Sequence, residues 1–159
     1  MAKKATLRKV AKDKREGKSP STQAGEFIKE TIDEMRQGKI GARSTSQAIA
    51  IGLSKARRAG VDLPPPPKGK TSEKTRKSAQ RAYAAGQSEP NKPVNRKRSK
   101  AVIAALQREG TDAASHEALS EHARQAAKQR TPAERSASAR KAARTRRANA
   151  ARVLKSSKG

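Results

Sequence analysis

The sequence predicts an all-α and largely disordered chain, with one helical hairpin at about 19–61 between a basic arm and a long basic helical tail. Three observations predict it. Hydrophobic residues are 32% of the 159 and aromatic residues 1%, and the formal charge is +25, so no sizeable core forms and most of the chain is expected to stay unfolded or to fold on binding. Where apolar residues gather, they recur at helical spacing. Proline and glycine punctuate these stretches at positions where helices start and stop.

Residues 1–18 hold eight Lys and Arg against two acids. Leu7, Val10 and Ala11 support a helical turn or two, but nothing nearby would bury them, so this is read as a disordered basic arm.

Ser19 and Pro20 open the first helix of the hairpin as cap and first helical residue, and Gly38 closes it. Ala24, Phe27, Ile28, Thr31, Ile32 and Met35 share one arc, while Glu26, Lys29, Glu30, Asp33, Glu34 and Arg36 share the other. That second face is expected to be an acidic outer surface that repels phosphate. Gly41 in the following turn permits positive φ, which favours an antiparallel or angled hairpin.

Ser44–Val61 is the stretch around which the chain is organised. Ser44 and Gln47 form a capping box, and Gly60 followed by Val61 reads as a Schellman ending. Ala48, Gly52 and Ala56 make a shallow groove for close approach of a second helix, with Phe27 expected over Gly52. Ile51 lies off that face, either as a contact for a tail, a second subunit or a ligand or, favoured, as a singly exposed residue. So small a core is expected to self-associate through the groove or Ile51, giving a homodimer, or to order only with DNA. Arg43, Lys55, Arg57 and Arg58 are the expected DNA contacts of the hairpin. The alternative is that they solvate the helix and complement its C-terminal dipole.

The segment GARSTSQAIAIGLSKARRAG, between an acidic amphipathic helix and a proline run, resembles the shared segment of small basic bacterial proteins often labelled DNA-binding. The resemblance covers about Ser19 to Lys70, and the Ala/Arg/Lys-rich remainder is similar in composition to bacterial histone-H1-like tails. It implies a DNA-associated, non-enzymatic role.

Asp62–Lys70, DLPPPPKGK, cannot continue a helix and reads as a polyproline spacer holding the next segment off the hairpin. Residues 71–93 read as a basic helix and linker, with Ser72 as cap, Gly86 as stop and linker residues from 86 to 95. Tyr83 is either a base-stacking group or, favoured, an incidental surface residue.

Residues 94–159 hold 17 basic against 5 acidic groups. The cluster Arg96, Lys97, Arg98 and Lys100 leads into Val102, Ile103 and Leu106. A further helix to Arg130 carries Leu119, for which a small hairpin against Leu106 is one arrangement. Thr131-Pro132-Ala133-Glu134 is the best capping box of the chain and opens a long helix. Arg140, Lys141, Arg144, Arg146, Arg147, Arg152 and Lys155 cover most of its surface, so it stays solvated or lies along phosphate.

Such a charge excess needs a polyanion. Duplex DNA is favoured, RNA or the ribosome is the alternative, and a protein-interaction module tethered by basic tails is a third reading. An anionic membrane is disfavoured, because the basic segments have almost no Trp, Phe or Leu to bury in it. The absence of cysteine excludes disulfide frameworks and thiol catalysis, and His116 and His122, six apart, do not share a helix face as zinc ligands would. No cofactor, metal, small-molecule substrate or enzymatic activity is expected. With no apolar leader or membrane span, the expected location is the cytoplasm and nucleoid.

Overall fold

The structure, a computed structural model, describes residues 2–90 and 95–156, with side chains to 151. It is all-α: α1 (Lys4–Arg15), α2 (Pro20–Arg36), α3 (Thr45–Arg58), α4 (Glu73–Ser88), α5 (Arg96–Gln107), a 3-10 turn (Asp112–Ala114), α6 (His116–Lys128) and α7 (Pro132–Ser156). No strand occurs among the described residues. The expected extensive disorder is overturned, since helices occupy most of the described chain, including the arm. Two units are distinguished, Met1–Leu119 and Ser120–Gly159.

The hairpin forms by the local chemistry the sequence carries. Ser19 stands at the N-cap position of α2 with Pro20 in its first turn, but its hydroxyl meets the Ser21 and Thr22 hydroxyls and caps no amide, whereas the Ser44 hydroxyl accepts from the Gln47 amide at 3.2 Å to start α3. At the end of α3, the Val61 amide reaches Ala56 O and the Gly60 amide reaches Arg57 O, with Gly60 at φ +85°, which is a Schellman ending. The two helices run antiparallel, so two apolar clusters form at opposite ends of the pair. Ala24 and Phe27 meet Ala56 and Val61 at one end, and Ile32 and Met35 meet Ala42 and Ala48 at the other.

Gly52 is where the helices come closest. A Cβ there would lie 2.7 Å from Ile28 Cα and 3.0 Å from Ile28 N. The Ala48/Gly52/Ala56 groove is therefore filled by α2 of the same chain, through the backbone at Ile28 rather than through Phe27, and is not open for a second copy. Ile51 packs partly buried on the second cluster.

Each cluster is completed from elsewhere in the unit. Leu7 and Val10 of α1 lie against the first. The arm fails to be disordered because it has a surface to bury them on, along with a set of acidic partners. Ala113, Ala114 and Leu119 complete the second. Leu119 thus packs on the α2–α3 core, not in a separate hairpin against Leu106.

The proline run does not hold the next segment away. Leu63 turns back onto the first cluster, the Tyr83 hydroxyl donates to Asp62 Oδ1 at 2.7 Å, and α4 lies on α3. Gly86 does not stop α4, which continues to Ser88. With Ala79 and Ala82 it forms a buried strip of small residues, and a Cβ at Gly86 would collide with the Arg57 carbonyl. The rest of the expected second linker, residues 91–94, lies outside the described residues.

In the second unit, the Thr131/Glu134 capping box forms as its spacing predicts. The Glu134 amide donates to Thr131 Oγ1 at 3.2 Å, and Glu134 Oε2 accepts from the Thr131 amide at 2.8 Å. The α7 helix that follows has exposed side chains through 151 apart from half-buried Ala142.

Candidate nucleic-acid interface

The cations of the first unit divide into those neutralised by the protein's own acids and those left to solvent. The face of α2 expected to be an acidic exterior is covered in part, at Glu30 and Glu34, while Lys29 and Arg36 stay exposed. Glu30 is 5% exposed, and its carboxylate accepts from the Lys3 backbone amide at 3.1 Å. Lys3 precedes the first turn of α1, so Glu30 acts as an N-terminal cap supplied by another helix, at the positive end of the α1 dipole. Burial pushes the Glu30 carboxyl up. Hydrogen bonds from Thr6 and the Lys3 amide, together with the Lys55 ammonium, more than reverse this and leave it below the ordinary glutamate value. Lys9 reaches Glu26 at 3.7 Å and Lys3 reaches Glu34 at 3.7 Å.

This arrangement bears on the four hairpin cations expected to contact DNA. Lys55 Nζ lies 3.3 Å from Glu30 Oε1 and 2.6 Å from Glu34 Oε2, with its side chain 19% exposed, so it locks α3 to α2. Arg57 is 8% exposed. Its Nε donates to the Leu63 carbonyl at 3.0 Å and its Nη2 to the Pro64 carbonyl at 3.4 Å, pinning the start of the proline run. Burial lowers its pKa. Arg43 is exposed but holds Glu109 Oε1 through Nε at 2.7 Å. Arg58 is exposed at the end of α3 and has no carboxylate partner among the described residues.

Outside the hairpin the basic clusters are open. Arg96, Lys97, Arg98 and Lys100 are exposed in the first turns of α5, where Asn95 Oδ1 caps the Arg98 amide at 3.2 Å. Four cations beside the positive end of a helix dipole, with no acid in the first turn, are mutually unfavourable until an anion joins them. Arg140, Lys141, Arg144, Arg146 and Arg147 are all exposed on α7, with no acid within reach among the described residues. At 3.6 residues per turn, Arg140, Lys141, Arg144 and Arg147 fall within about 120° of arc. The side chains of Arg152 and Lys155 lie outside the described residues.

The sequence reading treated the arm as a tail and missed a row on it. Lys4, Arg8 and Arg15 are exposed and fall within about 40° of arc on α1. Their four- and eleven-residue spacings are the signal, visible once the arm is taken as a helix.

Among the described residues, no three His, Cys, Asp or Glu side chains gather as metal ligands, and no helix is long and apolar enough to cross a membrane.

A protein-family model described as a family of unknown function (DUF6496) matches residues 3–68. The match runs from α1 through the proline run and leaves out α4 to α7. No curated protein and no solved structure matches the chain.

Proposed function

We propose that the protein binds nucleic acid, duplex DNA foremost, without reading base sequence, as a non-enzymatic, histone-like protein of the cytoplasm and nucleoid. Exposed cations on α1, on the first turns of α5 and on α7 neutralise phosphates and release condensed counterions. The observation that carries this is the contrast between the hairpin, whose Lys55 and Arg43 are held by carboxylates, and α7, where Arg140, Lys141, Arg144, Arg146 and Arg147 are exposed with no carboxylate partner among the described residues. A helix that presents cations with neither acids to pair them nor an apolar stripe to bury is suited to lie along a polyanion.

Of the four hairpin cations expected to contact DNA, Arg58 is the one open for phosphate. Lys55 and Arg57 act in the fold, and Arg43 is available once it releases Glu109. The α7 helix, 25 residues at 1.5 Å per residue, is about 37 Å long, close to one turn of duplex.

The test is competition of the full chain among random-sequence duplex DNA, structured RNA and a pull-down freed of nucleic acid. Duplex of any sequence should retain the protein. Preferential retention on RNA would move the assignment to an RNA-associated protein, and a protein partner captured without nucleic acid would replace it with an interaction module.

A further inference from the structure

The second apolar cluster of the hairpin is closed by a short segment from far along the chain, and the contacts are those of a ligand in a site. The Gly41 amide donates to the Leu106 carbonyl at 2.9 Å and the Ala42 amide to the Gly110 carbonyl at 3.0 Å. Thr45 Oγ1 donates to the Ala113 carbonyl at 2.8 Å, and Arg36 Nε to the Ala114 carbonyl at 2.9 Å. The side chains of Ala113 and Ala114, 8% and 1% exposed, seat against Ile32, Met35, Ala42 and Ala48.

Gly41 shows how closely the segment is held. A Cβ on it would collide with the Glu109 carbonyl and lie 2.7 Å from the Gly110 carbonyl, so glycine is required for the approach and not for a positive φ. Recognition runs through main-chain carbonyls and two small side chains, which selects a backbone shape more than a side-chain sequence.

Charge adds to the fit. Four of the five acids in residues 94–159 lie at Glu109, Asp112, Glu117 and Glu121, an acidic island in a basic tail, and Glu109 pairs with Arg43 beside the site. Every receptor residue lies within 3–68, the stretch the family model matches, and every occupant residue lies beyond it.

We propose that the α2–α3 hairpin is a receptor for a short acidic turn segment with two consecutive small residues, and that its occupant in this chain is its own Leu106–Leu119. The pairing is intramolecular, and the proline run, α4 and α5 join its two parts in the chain. It is independent of whether the partner of the basic helices is DNA.

The experiment empties the site from the ligand side. In the full chain, Ala114→Glu prevents the segment from seating while leaving the receptor intact. A fluorescent peptide of residues 104–121 should bind this variant saturably and bind the wild-type chain at least tenfold more weakly. Adding Gly41→Val to Ala114→Glu should abolish binding, and a scrambled peptide of the same composition should not bind.

No peptide binding to a helical Ala114→Glu chain, or equal binding by the scrambled peptide, would overturn the proposal. If that variant does not fold, amide exchange of the wild-type chain decides. Gly41 and Ala42 should exchange by an opening that leaves the α2 and α3 amides protected, and exchange at the rate of those core amides would show one inseparable unit.

Discussion

At the scale of single residues, the hairpin depends on a few positions where a small or charged side chain has no substitute. Gly52 admits the Ile28 backbone, so Gly52→Leu should lower stability by about 3 kcal/mol or prevent folding, because neither helix can give way without uncoupling the apolar clusters. Ser54→Ala, at a half-buried hydroxyl with no hydrogen-bond partner among the described residues, should stay within about 0.5 kcal/mol. Urea midpoints of the two variants check both. Lys55→Ala leaves Glu30 buried with fewer partners and should cost roughly 2 kcal/mol in the same assay, while Arg58→Ala should be silent in stability. Glu30 also sets a pH dependence. Its folded pKa is depressed, so its contribution is present above the ordinary glutamate range and is lost as pH falls through the lower folded value. Thermal melts should show this acid loss, and Glu30→Gln should flatten it while lowering stability at neutral pH.

At the scale of elements, helix starts, stops and apolar faces were legible, because caps and periodicity act within a few residues of one another. The Ser44/Gln47 and Thr131/Glu134 starts and the Gly60 ending follow directly from spacing. What a polar face meets was not legible. Glu26, Glu30 and Glu34 share an arc that reads as solvent-facing, and only the fold shows Lys9, Lys3 and Lys55 brought to it. Gly86 reads as a stop because the sequence does not reveal that α3 crosses there, and Ala113 and Ala114 carry no period that marks them as core. These elements make truncations unequal. Cutting after Arg130 removes α7, whose described side chains are almost all exposed, and should leave the melting of the first unit unchanged. Cutting before residue 94 also removes Ala113, Ala114 and Leu119 and should lower that melting point by several degrees. Calorimetry of the two truncated chains separates the outcomes.

At the scale of the whole molecule, the charge of +25 has two different uses. Part of it, in Lys3, Lys9 and Lys55, fastens α1 and α3 to the acids of α2. The larger part stays outside, and composition alone does not reveal this division because it depends on which acids the fold covers. The account therefore expects affinity to reside in many dispersed cations and to be electrostatic. The most direct test is the salt dependence of binding to random-sequence duplexes, measured for the full chain and for the chain cut after Arg130. Log affinity of the full chain should fall linearly with log salt, with a slope of about −4 or steeper. Four cations on one arc of α7 supply about 0.9 each, and sequences should differ little. The cut chain should lose about the part that α7 supplies and keep the part that the exposed cations of α1 and α5 supply. A shallow slope, a slope unchanged by removing α7, or a strongly preferred sequence would contradict phosphate neutralisation as the way this protein binds.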